Sequence, residues 1–388
     1  MNSGASKVGI LTLTQSENYG TVLQAYATYQ LLNRDPRRKH FSLVPTDVQS
    51  VRRRRLISLA NPRNASTGLT RYRNFADMRK FIAPYTDTSD GKNWVNISNR
   101  RSALEYLNSR FDGFVTGSDE IWNLAFVGDK SIYYAPETLG RIRVSFATSA
   151  NRLDISKLSS ESLDILRRSL QSYRFISVRD SNTFAFVESL LEGASSIEQI
   201  VDPTIIHGLP EFVGLHQPSA DSGRKRILMM VRDRAVGEGL VSRFHNSADI
   251  DSVFIRYPGT RFLSLDPASF VRAFGAYDCV VTDFFHGTCM SVLSRAPFVS
   301  FDSEPVYSKY ESKICNMLMK LGLNGRYVNL SSNGRVAGNS AVHDLVDNML
   351  TEPPVWVADG AIQREREHGL AVLARVHDAI SEGLAGVR

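Results

Sequence analysis

The sequence predicts an α/β fold built from two Rossmann-like domains facing a cleft, and three observations carry that prediction. Short apolar segments of strand length alternate with segments of helical apolar spacing, which is the pattern of βαβ units on a parallel sheet. The alternation runs twice, with a Gly/Pro/Ser-rich stretch at 208–223 between the two passes. A chain of 388 residues makes two domains at roughly 100–200 residues each.

In the first pass, Lys7–Leu13 (KVGILTL) reads as a buried strand, followed by a polar turn, Thr14–Gly20, and an apolar-rich helix from Thr21 to Asn33. His40–Pro45 reads as a second strand. Residues 48–95 form an irregular basic insertion. Ser102–Asn108 has helical spacing, and Gly113–Thr116 is a short strand ending in the turn Gly117-Ser118-Asp119. Arg143–Phe146, the helix Ser160–Tyr173 and the strand Phe175–Val178 follow, with the polar turn Arg179-Asp180-Ser181 behind them. The second pass opens on the strand Arg226–Val231, with a helix near 236–246 and the strand Asp251–Tyr257. Pro267 suits a first helical position and begins a helix to Ala276. Cys279–Thr282 and Pro297–Phe301 are strands around a helix start at Thr288–Ser294. Residues 361–384 form one long amphipathic helix. The expected division is 1–205, 206–350, and a C-terminal helical segment, 351–388.

Composition excludes several classes. No apolar run approaches the ~18 residues of a membrane span, and the N-terminus has no apolar h-region. Three cysteines without CxxC spacing exclude a disulfide framework and a cysteine-rich zinc site. A cytoplasmic protein is expected, with no metal and no cofactor. The net charge of +6 is uneven: residues 1–100 hold 16 Lys/Arg against 6 Asp/Glu, and residues 101–388 hold 30 against 34. Nine basic residues and one acid lie between Arg52 and Lys80, including the run Arg52–Arg55. This stretch is either a solvated insertion or a contact for anionic lipid headgroups at the inner membrane face or for a diphosphate-bearing substrate. Nucleic acid is not expected as a partner, because the nearby aromatics form no stacking pattern.

In open α/β sheets, ligands bind beyond the carboxyl ends of the strands, so the informative residues follow predicted strands. Four turns qualify: Ser16–Gly20, Gly117–Asn123, Arg179–Ser181 and Asp283–Thr288. None carries a dinucleotide fingerprint, a P-loop or an H-E-x-x-H motif, which argues against a dehydrogenase or an NTPase. His286, with Gly287 and Thr288, stands beside a helix start. That is a place for anions, and imidazole suits acid–base work near neutrality; the alternative is a histidine that only bonds the turn. Arg179 carries a forked donor array for a carboxylate or phosphate, or else pairs structurally with Asp180. Asp119 and Glu120 can receive sugar hydroxyls, or Asp119 can cap a helix. Trp122 can stack on a sugar face or close the core. Asn18-Tyr19-Gly20 can approach a ligand through Gly20, or form only a tight turn.

Taken together, NYGTVLQAYA (Asn18–Ala27), GSDEIWN (Gly117–Asn123), SFATSA (Ser145–Ala150), ISVRDS (Ile176–Ser181), VDPT (Val201–Thr204), VVTDFFHGTCMSVLSRAPFVSF (Val280–Phe301) and LMKLGLNGR (Leu318–Arg326) resemble the polysaccharide pyruvyl transferase family, in the family's order. The resemblance implies a fold similar to the GT-B glycosyltransferases. It also implies transfer of pyruvate from phosphoenolpyruvate to a sugar of a cell-surface polysaccharide or its lipid-linked precursor, usually as a ketal. The family's functional histidine falls on His286 and its arginine on Arg179. The donor is then expected at Arg179, His286, Gly287 and Thr288, and the acceptor at Asn18, Tyr19, Gly20, Asp119, Glu120 and Trp122. Two positions depart from the family's usual pattern. Thr21 stands where many members have Asp, a role that Asp119 is expected to fill, and Glu120 stands where Gln is common. The contrasting readings are a glycosyltransferase using a nucleotide sugar, and a sugar- or lipid-binding module without catalysis.

Overall fold

In the computed structural model the described residues are 6–35, 40–47, 65–88, 95–96, 100–151, 153–193, 196–217, 223–304, 311–331 and 335–385. They divide into two compact units, one of residues 1–207 with 365–388 and one of residues 208–364.

The strands of the first unit are β1 (Val8–Leu11), β2 (Phe41–Leu43), β3 (Thr46–Asp47), β4 (Val95–Asn96), β5 (Gly113–Thr116), β6 (Ile142–Ser145), β7 (Ile176–Val178) and β8 (Ile197–Gln199). The main sheet has the order β2-β1-β5-β6, with every pair parallel. Single bridges, Val144 to Phe175 and Thr148 to Val178, continue it to β7. β1 and β5 are buried along their whole length, as expected of central parallel strands covered on both faces.

The helix after β1, Tyr19–Leu32, is enclosed on nearly every side, which explains why its apolar residues show no single stripe. Its buried polar side chains bond one another. Gln24 Nε2 donates to Thr12 Oγ1 at 3.0 Å and to the Thr21 carbonyl at 2.9 Å, and Ser118 Oγ donates to Gln24 Oε1 at 2.7 Å. Thr12 Oγ1 in turn donates to the Ser118 carbonyl at 3.1 Å. A buried amide satisfied in this way costs little and fixes one arrangement of the helix against the β1 and β5 ends.

Gly117, where β5 leaves the sheet, has φ +130°. A Cβ there would lie 2.0 Å from the Phe146 carbonyl oxygen, a main-chain atom that cannot yield. Gly117→Ala is expected to cost roughly 2–5 kcal/mol, measured as a lower urea midpoint. An unchanged midpoint would show that the turn has another conformation.

The basic stretch is not irregular throughout. Ala65–Ile82 is a helix, with Met78 and Ile82 buried. Phe81 and Tyr85 pack against Tyr26 at ring-centroid distances of 5.4 and 5.1 Å. Apolar residues recurring between the basic ones thus anchor a helix that the charge count concealed. Arg52–Arg55 lie outside the described residues.

The second unit holds β9 (Lys225–Met230), β10 (Ala248–Val253), β11 (Arg261–Leu263), β12 (Cys279–Thr282), β13 (Phe298–Asp302) and β14 (Tyr327–Asn329). Their order is β11-β10-β9-β12-β13-β14, and every pairing is parallel. Numbered from β9 this is 3-2-1-4-5-6, the doubly wound order of a Rossmann fold, whose ligand crevice lies where the order reverses. Here the reversal falls between β9 and β12. The last helix, Asp359–Ala385, belongs from Glu365 onward to the first unit. It buries Val372, Leu373, Val376 and Ile380 there, spaced by three or four residues as a helical core stripe requires. Among the described residues no helix is long and apolar enough to cross a membrane.

Candidate active site

Both sheets carry the polar turns singled out in the sequence at the carboxyl ends of their strands. In the first unit, Asn18 caps the helix Tyr19–Leu32, its Oδ1 accepting from the Gly20 N–H at 3.0 Å. Ser118-Asp119-Glu120 follows β5. Asp119 caps no helix, contrary to the capping alternative: at φ +70° it turns its carboxylate back onto the Glu120 N–H at 2.9 Å. Glu120 is half-buried, and its Oε2 accepts from the side-chain amides of Asn123 and Asn151, each at 3.0 Å.

Arg179 follows β7, and its side chain is 2% exposed. Its structural partner is not the adjacent Asp180, whose Oδ1 instead caps the helix Ser181–Leu191 through the Thr183 N–H at 2.8 Å. The guanidinium pairs with Asp202 at 2.6 Å and lies 3.5 Å from Asp119. Asp202 is itself fixed by Thr204, which donates to its Oδ1 from the N–H at 2.9 Å and from the hydroxyl at 2.8 Å. Burial alone would weaken the charge on Arg179. The carboxylates of Asp202, Asp119, Asp180 and Glu120 outweigh it and push the pKa up, so the guanidinium is a permanent cation.

Trp122 does not offer a face to a sugar. It is fully buried, stacks on Tyr134 at 5.7 Å and donates its indole N–H to the Tyr133 carbonyl at 3.0 Å, so it closes the core. Tyr19 is 1% exposed and is likewise enclosed. The acceptor candidates whose polar groups remain at the edge are therefore Asn18, Asp119 and Glu120.

In the second unit His286 stands at the reversal between β9 and β12. The helix begins at Phe285, not at Thr288, and runs to Ser294, so His286 lies inside its first turn. The start comes early because Thr282 Oγ1 accepts the Phe284 N–H at 3.0 Å, which stops the strand and turns the chain. Gly287 is required for the approach of this turn to β12, since a Cβ on it would sit 2.3 Å from Thr282 Oγ1. Thr288 points inward: its hydroxyl lies 2.8 Å from Ser300 Oγ and its N–H donates to the Phe284 carbonyl at 3.0 Å, so both groups are engaged within the fold. His286 is 6% exposed and packs edge-on to Phe285 at 5.2 Å. Lys313 Nζ lies 5.5 Å from the Phe285 ring centroid.

Asp283, a residue the sequence reading did not single out, pins this edge. Its carboxylate accepts from the Arg232 N–H at 2.8 and 2.9 Å and from the Asp233 N–H at 3.1 Å, joining the β9 and β12 ends. Burial pushes its pKa up to about 6, against the pull of Arg232 and of these N–H groups. A carboxyl whose folded-state pKa exceeds its unfolded value binds its proton more tightly when folded. Through this group, stability is therefore greatest below about pH 4 and declines as pH rises to about 6. In Asp283→Asn that decline should be absent from urea midpoints taken between pH 4.5 and 7. A variant with the same pH slope as the wild type would locate the titration elsewhere.

Asp202, Gln24 and Asp283 were legible only as part of longer segments. The signal for Asp202 was the Asp-Pro pair, a cap followed by a proline at a first helical position, and for Gln24 an amide inside an apolar helix.

Two parallel, doubly wound sheets with polar turns beyond their strand ends define a protein of the GT-B fold type. Solved structures agree on the fold. The Staphylococcus aureus MnaA–UDP co-structure is similar with a TM-score of 0.53 at 10% identity, covering 98% of this chain and 97% of that one. UDP-GlcNAc 2-epimerase from Neisseria meningitidis bound to UDP-GlcNAc gives 0.52 at 8% identity, covering 98% and 100%. The enzyme of the same name from Methanocaldococcus jannaschii gives 0.51 at 8%, covering 95% and 98%. At such identities the likeness is one of fold alone. A sequence search of curated proteins finds no match. The chain belongs to the polysaccharide pyruvyl transferase family, whose pattern matches residues 18–305. It is thus a transferase, and the match takes in three of the four polar turns whole and Asn18–Gly20 of the first.

Proposed function

We propose that the enzyme moves pyruvate from phosphoenolpyruvate onto two hydroxyls of a sugar, in a cell-surface polysaccharide or its lipid-linked precursor, and forms a ketal. The observation that carries this reading is His286 in the first turn of a helix at the sheet reversal, within the family's pattern. The donor bears a carboxylate and a phosphate, and a helix N-terminus and fixed cations favour both.

In the proposed reaction the His286 imidazolium gives a proton to the enol methylene, which becomes the methyl group. The central carbon, now electron-poor, takes the electron pair of the first sugar hydroxyl, and that hydroxyl's proton goes to a base. Phosphate then leaves with the electrons of its C–O bond. The second hydroxyl adds to the same carbon and gives its proton to the His286 imidazole, while the base passes the first proton to the departing phosphate, so that donor and diol give ketal and inorganic phosphate. Arg179, aligned by Asp202, is the proposed cation for a donor anion, and Asn18, Asp119 and Glu120 are proposed for the acceptor. Glu120, held by two amides, is the carboxylate best suited to take a hydroxyl proton.

The test is incubation with phosphoenolpyruvate and with nucleotide sugars, each with a panel of saccharide and lipid-linked acceptors. Acceptor-dependent phosphate release supports the reading. Nucleotide release in its place would make the protein a glycosyltransferase, and neither product with any acceptor would favour a binding module.

A further inference from the structure

A second arginine stands at the sheet reversal beside His286. Arg232 lies two residues beyond the end of β9, the strand next to β12. Its main chain is tied to the His286 turn by the two bonds from its N–H to the Asp283 carboxylate. Its guanidinium lies 4.8 Å from the ring centroid of Phe284, two residues before His286. One of its nitrogens also donates to the Asp283 carbonyl at 3.3 Å. Ring, carbonyl and anchored backbone thus hold the fork in one orientation.

The Asp283 carboxylate feels the charge but makes no salt bridge with it. The Asp283 carboxylate is taken by main-chain N–H groups, and Asp233 Oδ1 caps the helix Arg234–Phe244. Among the described residues the one ion pair Arg232 makes, with Glu304, is at 4.0 Å, and the two side chains are 55% and 42% exposed. An exposed pair at that distance contributes little and yields to a better anion. Arg232 also differs from Arg179 in this respect, whose guanidinium is enclosed among four carboxylates.

We propose that Arg232 binds an anionic group of the donor, carboxylate or phosphate, on the His286 side; this rests on phosphoenolpyruvate being the donor. A charge-assisted bond to a fixed guanidinium contributes on the order of 1.5–3 kcal/mol, which is about 10- to 150-fold in affinity.

The test is calorimetric titration of the full chain with phosphoenolpyruvate, inorganic phosphate and pyruvate, after melting curves show that each variant is folded. Arg232→Gln should weaken phosphoenolpyruvate binding at least about 10-fold, and Arg232→Lys, which keeps charge without the fork, should fall between. Arg234→Gln should match the wild type, because its guanidinium sits over Tyr257 and donates to the Arg256 carbonyl. A parallel loss for phosphate, or for pyruvate, tells which group Arg232 takes, and either supports the proposal. Unchanged phosphoenolpyruvate affinity in Arg232→Gln would overturn it while leaving the donor reading intact. An equal loss in Arg234→Gln would also overturn it, by showing a general effect of charge. A wild type that does not bind phosphoenolpyruvate would remove the donor reading, and this inference with it.

Discussion

Replacing His286 with alanine is expected to lower acceptor-dependent phosphate release from phosphoenolpyruvate by two to four orders of magnitude, the contribution of a positioned general acid. The fold should survive the change. His286 lies in the first turn of its helix, where the N–H groups have no partners within the helix, and the packing beneath it is carried by Cys289, Met290, Val292 and Leu293. His286→Gln keeps the size and a hydrogen-bonding end but cannot carry a proton, so it should fail nearly as badly. The pair of variants separates proton transfer from packing. Loss in alanine with recovery in glutamine would leave His286 as a positioning residue that only bonds the donor. Phosphate release near the wild-type rate in both would remove it from the reaction.

The sequence made the parallel sheets legible because their strands are short, mostly apolar runs between turn residues, as in CVVT and GFVT. It also placed the four polar turns, since a parallel sheet sends every strand's carboxyl end to the same edge. What it could not show was long-range pairing. Arg179 and Asp180 are adjacent in the chain, yet the partner of Arg179 is Asp202, 23 residues on. Trp122 reads equally as a sugar platform or a core residue until Tyr134 is seen stacked upon it. The start of the His286 helix was misplaced by three residues because its signal is the strand residue Thr282 acting through its hydroxyl, with no side-chain cap at Phe284. The helix Ala65–Ile82 was hidden for the opposite reason. Its exposed face is basic, and the apolar contacts that hold it lie on another helix altogether.

Arg179 is expected to give the largest effect on stability, and the way that effect is relieved tells what else it does. Arg179→Ala strands the carboxylate of Asp202, whose side chain is fully buried, beside those of Asp119 and Asp180. Leaving a buried charge without its partner costs about 3–5 kcal/mol. The variant should therefore unfold at clearly lower urea and give little soluble protein, and its low activity would say nothing about the donor. Arg179→Lys keeps the charge but offers one point in place of a fork, so it should fold with a smaller loss. The double variant Arg179→Met with Asp202→Asn removes both charges, while the asparagine oxygen still accepts the two bonds from Thr204. Much of the stability should return, since a buried ion pair is often replaceable when both partners go together. The two roles then give different results. If Arg179 holds a donor anion, the double variant is stable and inactive, and Arg179→Lys shows a raised KM for phosphoenolpyruvate with the acceptor KM unchanged. If Arg179 only neutralises its buried carboxylates, activity returns with stability, and Arg179→Lys matches the wild type in donor KM and in kcat.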